Sequence, residues 1–139
     1  MTQRRSAAGP RGVGRYPRDE EIVRYLARFR YRLRKFLRFS EQAARQCGVT
    51  PLQHQLLLSI AGHTGRTVTI SQLAEFLQER HNSVVALVTR AVARGLVRKV
   101  RDTRDRRYVF VSLTPKGKTV LTRLARLHEQ EVLRFRTGL

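Results

Sequence analysis

The segment from Leu96 to Leu113, LVRKVRDTRDRRYVFVSL, constrains this chain most, because it predicts two short strands joined by a charged tip. On the second strand, apolar residues recur at every other position, the period of a half-buried strand: Val109, Val111 and Leu113. The tip carries three arginines and two aspartates: Arg104, Arg106, Arg107, Asp102 and Asp105. Asp105 is two residues before Arg107, on the same side of the ribbon, so we expect it to hold the Arg107 guanidinium in place.

Two predicted helices before this ribbon have the proportions of a helix-turn-helix. Thr69-Ile70-Ser71-Gln72 has the pattern of a capping box and opens a short helix over 70–77. A longer helix follows from about 81 to 94, and Gly95 stands where a left-handed residue ends a helix. A winged helix-turn-helix is therefore predicted, with the ribbon as its wing.

In a helix-turn-helix the first residues of the second helix meet base edges in the major groove, here His81, Asn82 and Ser83. Asparagine can pair with two edge atoms of adenine. The alternative is that Asn82 and Ser83 only cap the helix. Likewise, the wing tip either inserts arginine into a narrow minor groove or is a solvated turn with a weak surface ion pair. We expect three further cations to contact phosphates: Arg80, Arg90 and Lys99.

Three more helices are predicted around this motif. The first runs from 19 to about 46, ends near Gly48 and has one face full of cations: Arg24, Arg28, Arg30, Arg32, Arg34, Lys35 and Arg38. The second begins after Thr50-Pro51, again with a capping box, ends at Gly62 and Gly65, and is expected to be largely buried through Leu56, Leu57, Leu58, Ile60 and Ala61. The last begins after Thr114-Pro115, with Val120, Leu121, Leu124 and Leu127 on one face. Residues 1–18 are polar and basic, which predicts a disordered tail.

The charge balance limits the function classes. Lys and Arg number 29 against 10 Asp and Glu, a formal net charge of +19. This indicates a polyanionic partner, with nucleic acid ahead of an anionic membrane. No apolar run approaches the roughly 18 residues of a spanning helix, and the basic start lacks the apolar stretch of a secretory signal. With 139 residues we expect one cytoplasmic domain, without membrane association.

Candidate metal-binding, redox and catalytic residues are few. The histidines, at His54, His63, His81 and His128, lack metal-ligand spacing, and His128 with Glu131 has the pattern of a surface pair. His54 lies on the apolar second helix, where we expect a satisfied buried histidine, with a ligand contact as the weaker alternative. Cys47, the only cysteine, is expected to be a plain helix-end thiol, with a redox sensor as the alternative. No nucleophile elbow, phosphate-cradling glycine loop or convincing carboxylate pair supports catalysis, and no cofactor is expected.

The segment GLVRKVRDTRDRRYVFVSLTPKG, preceded by ISQLAEFLQERHNSVVALVTRAVARGLV, resembles the MarR family of bacterial winged-helix transcription regulators. The family's wing pattern, Asp-x-x-Asp-x-Arg and then V-x-L-T-x-x-G, is found at Asp102, Asp105, Arg107, Val111, Leu113, Thr114 and Gly117. The resemblance covers about 19 to 130. It implies a dimer with intertwined first and last helices and two winged helices facing one DNA duplex. It also implies release of DNA on binding a small phenolic or lipophilic ligand, or on cysteine oxidation.

Two departures from the family pattern concern the dimer and the recognition helix. The chain stops at Leu139, so we expect the dimer interface to depend more on the first helix. Ala86 and Ala91 stand where family members often carry larger residues. The residues expected at the dimer interface are apolar ones on the first and last helices: Ile22, Leu26, Phe29, Leu33, Leu124 and Leu127.

The fold expected is mainly α with a small β-wing, in one MarR-like domain over 19–139. Within it, 19–48 and 115–139 would be dimerisation helices and 50–113 the winged-helix DNA-binding region. The function expected is that of a repressor of transcription that binds a specific sequence of double-stranded DNA. We expect it to bind a pseudo-palindromic operator as a homodimer and to respond to a small aromatic or lipophilic effector. Two alternatives stay open: a non-specific architectural protein for DNA or RNA, and a redox-responsive regulator acting through Cys47.

Overall fold

The computed structural model describes residues 18–63 and 68–138, which are mainly helical with one small antiparallel sheet. The elements in chain order are α1 (Asp19–Gln46), α2 (Pro51–Gly62), β1 (Val68–Thr69), α3 (Ile70–Leu77), α4 (His81–Ala93), β2 (Val97–Arg101), β3 (Val109–Leu113) and α5 (Pro115–Thr137). The predicted helices and the predicted wing are therefore confirmed. The predicted tail, apart from Arg18, and the predicted helix end at Gly65 lie outside the described residues.

Local backbone chemistry sets the helix ends. The Thr50 and Thr69 side chains each accept a hydrogen bond from the backbone N–H three residues on. The glutamine at that third position accepts one from the threonine N–H, at 3.0 Å in both cases. Gly48 and Gly95 follow α1 and α4 with φ values of +76° and +71°. A residue with a Cβ rarely adopts this conformation, so glycine is favoured where these helices stop.

The sheet contains one strand more than the sequence predicts. Its order is β1-β3-β2, with both pairs antiparallel. The hairpin register pairs Val97 with Leu113 and Arg101 with Val109, while Val111 in the central strand is fully buried. The added strand, β1, pairs Val68 with Val111 and is two residues long. A segment that short has no periodicity, so only its pairing partner reveals it.

Helix α2 lies at the centre of the fold and packs against α1, α3, α4, α5 and β3. Its Leu56 and Leu57 are fully buried, and Ile60 is 8% exposed. The predicted burial is wrong for Leu58, which is 46% exposed, and for Ala61, which is also exposed. Two adjacent positions of a helix point about 100° apart, so an unbroken apolar run need not be buried throughout.

A close backbone approach joins the wing to α5. The Thr114 N–H donates to the Leu96 carbonyl at 3.1 Å, and the Thr114 hydroxyl caps α5 by accepting from the Gly117 N–H at 3.0 Å. A Cβ built on Gly117 would overlap the Leu96 carbonyl oxygen. Only glycine therefore fits at 117, which explains the T-x-x-G spacing after β3 and fixes the wing relative to α5.

Helices α1 and α5 pack along each other through aromatic rings. The Phe135 ring of α5 lies 6.3 Å from that of Phe29 and 5.5 Å from that of Phe36, measured between ring centroids. Phe36 and Phe39 also contact the ring of His128 edge-on, at 6.0 and 5.4 Å. The two long helices are thus held by contacts within one chain.

Candidate nucleic-acid interface

Helix α4 presents a polar first turn to solvent. Its inner face is fixed by four buried residues, which occupy positions three to four apart: Val84, Leu87, Val88 and Ala91. The residues at its start, His81, Asn82 and Ser83, are all exposed. The cap position is Arg80, which makes no side-chain capping bond. The interpretation of Asn82 and Ser83 as mere helix caps is therefore wrong, and their polar groups face outward.

The two aspartates of the wing shape its tip. The Asp102 carboxylate accepts a hydrogen bond from the Arg104 backbone N–H at 2.9 Å, and Asp105 accepts one from the Arg107 N–H at 3.1 Å. The backbone closes the turn between the Asp102 N–H and the Tyr108 carbonyl at 2.9 Å. These bonds hold the acidic side chains inward, at intermediate exposure, and leave the side chains of the arginines in solvent.

Asp105 fixes the direction of the Arg107 guanidinium. Nε lies 3.0 Å from Oδ1 and a terminal nitrogen 2.8 Å from Oδ2, a two-pronged arrangement that confirms the predicted pairing. The hydrogen bonds from Arg107 lower the pKa of Asp105, and those to Asp105 raise the pKa of Arg107. Because Arg107 is 87% exposed, the pair adds little stability. Its effect is to orient a cation.

One cleft joins the start of α4 to the wing. It has a volume of about 320 Å³ and lies between His81 and Val85 of α4, Lys99 of β2, and Arg107 and Tyr108 of the wing. The first residues of α3, including Ser71, form its third side. The structure thus brings together three predicted site residues from separate elements, and it adds two, Ser71 and Tyr108, that sequence reasoning missed. Ser71 follows a helix cap, a position that could have drawn attention to it.

The other cations predicted to contact DNA do not line this cleft. Arg80 and Arg90 are exposed on α4, as are Arg104 and Arg106 on the wing tip. Arg90 lines a separate groove with Leu52 and Ser83, so it stands on another side of α4 from Lys99. Of the two alanines of α4 that depart from the family pattern, Ala86 is exposed and Ala91 is fully buried. Ala91 therefore belongs to the core.

Part of the chain matches a known protein family. Residues 48–107, from the end of α1 to the wing tip, match the model described as the MarR family. The transcriptional repressor MdtR of Bacillus subtilis, an HTH-type protein, is 31% identical over 70 residues, which is 50% of this chain and 44% of MdtR. Over this region the chain is similar to the MarR family. The match spans less than half the length of this curated relative.

Solved structures of MarR proteins share the winged-helix fold at lower identity. A mutant E. coli MarR complexed with operator DNA is similar with a TM-score of 0.69 and 21% identity, over 89% of this chain and 88% of that one. Bordetella bronchiseptica BpsR, whose DNA binding is regulated by 6-hydroxynicotinic acid, gives a TM-score of 0.66 and 21% identity, over 86% of both chains. The predicted fold class is thereby confirmed.

The residues predicted at the dimer interface differ in exposure. Leu26 is 50% exposed and Leu127 39%, while Ile22, Phe29 and Leu33 are half-buried. The prediction for Leu124 is wrong, because this side chain is fully buried in the chain's own core. Sequence reasoning missed other apolar side chains that the two long helices expose: Val23, Tyr25, Tyr31, Leu37, Val132 and Leu133.

Two histidines meet where α1, α2 and α5 join. The His54 and His128 rings lie 5.1 Å apart, and both side chains are buried. A predicted surface pair of His128 with Glu131 is wrong: Glu131 pairs with Arg134, and His128 is held by the Leu124 carbonyl at 2.7 Å and by Ser40. A carbonyl only accepts, so Nδ1 of His128 donates to it, and Nε2 lies 2.9 Å from the Ser40 hydroxyl.

The predicted burial of His54 is confirmed, but the predicted hydrogen bonding of its ring is not. The hydrogen bonds of the described residues include none from its ring. Burial first, and then the charge of His128, lower the pKa of His54 to about 4. Within residues 18–63 and 68–138 no third histidine, cysteine or carboxylate joins the pair in a metal-binding group. Cys47 directly follows α1 and is half-buried against the core.

Over the described ranges, no helix has the length and apolar character needed to cross a membrane.

Proposed function

We propose that this chain is a sequence-specific regulator of transcription, a homodimeric repressor that binds double-stranded DNA at a pseudo-palindromic operator. The observation that carries the proposal is the shared cleft, because it places the exposed start of α4 and the oriented Arg107 on one side of the chain. A helix for the major groove and an arginine for the adjacent minor groove are then presented together. The relatives support this, since E. coli MarR is bound to operator DNA and MdtR is a repressor.

The assignment of roles follows from exposure and chemistry. Asn82 and Ser83 carry side-chain groups that read base edges, and neither is engaged as a helix cap. Lys99 and Arg90 flank α4 on two sides, where the two phosphate backbones of a major groove would run. The arginines of the wing tip extend beyond the sheet. With a net charge of +19, association with DNA should be strongly salt-dependent.

Asn82 and Arg90 should differ in what their replacement does. We expect Asn82→Ala to cost ~1–3 kcal/mol per half-site on a preferred sequence and little on random DNA, because it removes a base contact. Arg90→Ala should weaken both, and should flatten the log–log salt dependence by ~0.9 for each phosphate that the chain no longer neutralises. Binding isotherms on both DNAs at several salt concentrations provide the measurement. If Asn82→Ala weakened binding equally on both DNAs, this would contradict a direct contact of Asn82 with base edges. It would favour the alternative of a non-specific architectural protein.

The exposed apolar residues of α1 and α5 support the dimer. Val23 is 65% exposed, Leu26 50% and Leu133 47%. A symmetric dimer would bury these side chains from both copies. It would also place two winged helices on one duplex, as a pseudo-palindromic operator requires.

Light scattering at micromolar concentration should therefore give twice the chain mass of 16.1 kDa. We expect Leu26→Glu to shift the mass toward the monomer, because it buries a charge in the interface. Val100→Glu is the matched control: Val100 is 51% exposed, but on the wing, so its dimer should persist. A wild-type chain that scatters only as a monomer would exclude the dimer.

We also propose that a small molecule regulates DNA binding by this chain. The regulated DNA binding of BpsR supports it. The competing possibility, oxidation of Cys47, is less favoured, because this thiol is half-buried against the core and reactive thiols are usually accessible and electropositive in setting. We place the protein in the cytoplasm, where its DNA lies. We expect it to act by binding DNA rather than as an enzyme.

A further inference from the structure

The outward side of α1 carries a long line of cations. Residues three or four apart in a helix lie on one face, and from 24 to 45 this spacing selects five cations with Tyr31 and Gln42 between them: Arg24, Arg28, Lys35, Arg38 and Arg45. All of these side chains are exposed. We call the five cations the α1 stripe.

The charges of the α1 stripe are almost unopposed. Between residues 22 and 46 the only acidic residue is Glu41. Among the ion pairs of the described residues, one involves the stripe, between Arg24 and Glu20 at 3.9 Å, and both side chains are largely exposed. Such a pair neutralises little. Because like charges one turn apart on a helix repel each other, an anionic partner would stabilise the stripe.

The α1 stripe is separate from the surfaces already assigned. Helix α1 packs against α5 and α2, and no stripe residue lines the cleft between α4 and the wing. Leu26, proposed for the dimer interface, is two residues from both Arg24 and Arg28, so at about 100° per residue it lies on the opposite side of α1. Arg32 is not part of the stripe, because one of its guanidinium nitrogens is buried, without a hydrogen-bond partner in the described part of the chain.

The length of the α1 stripe indicates a partner with an extended array of charges. From residue 24 to residue 45 an α-helix rises about 32 Å, at ~1.5 Å per residue. This is close to one turn of duplex DNA, about 34–36 Å. Each strand of that duplex carries one phosphate for every ~3.4 Å, so several cations of the stripe can meet phosphates at once.

Two other polyanions fit the α1 stripe less well. An anionic membrane binds helices that also insert an apolar face, but Phe29 and Phe36 of α1 are packed on Phe135 of α5. Single-stranded nucleic acid stacks its bases on aromatic rings. The ring within the stripe, Tyr31, already lies under the ammonium group of Lys35, 5.5 Å from its centroid. A duplex, which presents its phosphates outward, needs neither feature.

We propose that the α1 stripe binds a second segment of duplex DNA, without reading its sequence, while α4 and the wing hold the first. The protein would then bridge two duplexes, or two segments of one DNA molecule. Bridging rests on the proposed function, which supplies the first duplex, whereas binding of a duplex by the stripe does not.

Capture of a second duplex measures bridging. A duplex with a selected site is fixed to beads in excess over the full-length protein, and a fluorescent duplex of unrelated sequence is added in excess over both. Binding of the protein to the beads and retention of the fluorescent duplex are recorded separately. The wild-type chain should retain the fluorescent duplex, and the retention should fall steeply as salt is raised.

The triple variant Arg28→Gln, Lys35→Gln, Arg38→Gln should retain at least about tenfold less of the fluorescent duplex, because three cations no longer displace counterions from phosphates. Its binding to the selected site should stay close to that of the wild type. Glutamine forms helices about as well as lysine and arginine, so α1 should persist.

A second triple variant is the matched control for net charge. Lys118→Gln, Arg123→Gln, Arg126→Gln removes the same charge from an exposed groove of α5 and should retain the fluorescent duplex as the wild type does. Equal losses in the two triple variants would overturn the inference, since net charge would then be responsible. Preferential retention of phosphatidylserine vesicles or single-stranded RNA over the duplex would also overturn it.

Failure of the inference differs from failure of the proposed function. A wild-type chain that binds the selected site but retains no fluorescent duplex would overturn the α1 stripe alone. If the chain bound no selected site, anisotropy of the fluorescent duplex would still test the stripe, and equal affinities of the wild type and the α1 triple variant would overturn it. Should that variant fail to fold, Arg28→Gln and Arg38→Gln are compared singly, each with a smaller loss expected and an unchanged retention by both counting against the stripe.

Discussion

Arg107→Ala is expected to weaken binding to a preferred DNA site by about 1.5–3 kcal/mol per half-site, and by roughly twice that for a dimer with two wings. The reason is that Asp105 already orients the Arg107 guanidinium, so little side-chain freedom is given up on binding. Fluorescence anisotropy with the wild-type and variant chains on the same DNA gives the difference. Arg98→Ala is the control, since Arg98 is exposed on β2 but away from the tip.

The sequence next to the site distinguishes insertion from a phosphate contact. A narrow minor groove in A·T-rich flanks has the most negative potential, so the weakening by Arg107→Ala should be greater there than in G·C-rich flanks. Equal weakening on both flanks would favour a simple phosphate contact, and no change on either would remove the wing from the mechanism. Asp105→Asn should weaken DNA binding less than Arg107→Ala does, with the same dependence on the flanking sequence. The reason is that this change releases the Arg107 guanidinium from its partner without removing it.

Mild acid should destabilise the fold through His54. Its pKa is about 4 in the folded chain, against an ordinary value of 6.5. A histidine with a lowered pKa takes up its proton first in the unfolded chain, so unfolding becomes easier as the pH falls from about 6.5 to 4 and changes no further below that through this group. The two values differ by about 2.5, which corresponds to a decrease of ~3 kcal/mol in the free energy of unfolding at most.

Urea unfolding at a series of pH values measures this decrease. His54→Phe keeps a ring of similar size beside His128 and removes the titrating group, so most of the fall between pH 6.5 and 4 should disappear. His63→Phe is the control, because His63 is a half-buried histidine that packs on Phe76 instead; it should retain the fall. A wild-type chain with constant stability over this range, or a His54→Phe chain with the wild-type slope, would contradict the prediction.

The elements that the sequence predicts correctly are those with local causes. The capping boxes at Thr50 and Thr69 and the left-handed glycines at 48 and 95 act within a few residues, so their patterns are visible in the chain itself. The pairing of Asp105 with Arg107 is equally local. Because the wing and the recognition helix depend on such local signals, the candidate site could be predicted from sequence in outline.

The features that were missed depend on contacts between distant parts of the chain. His128 looks like a surface residue beside Glu131, and only the packing of α5 on α1 and α2 brings it to His54 and Ser40. Leu124 looks like part of an exposed apolar stripe until the same packing buries it. Arg32 is one of many arginines on α1 in the sequence, and only the surroundings of its buried nitrogen single it out.

The most direct test of sequence-specific DNA binding is selection of bound sites from a random double-stranded library, followed by competition between a selected site and random DNA at physiological salt. We expect the selected sites to contain two related half-sites about one helical turn apart, bound at least ~10³-fold more tightly than random DNA. Binding without any preferred sequence, or a preference that disappears as salt is raised while the remaining binding follows charge alone, would contradict the account.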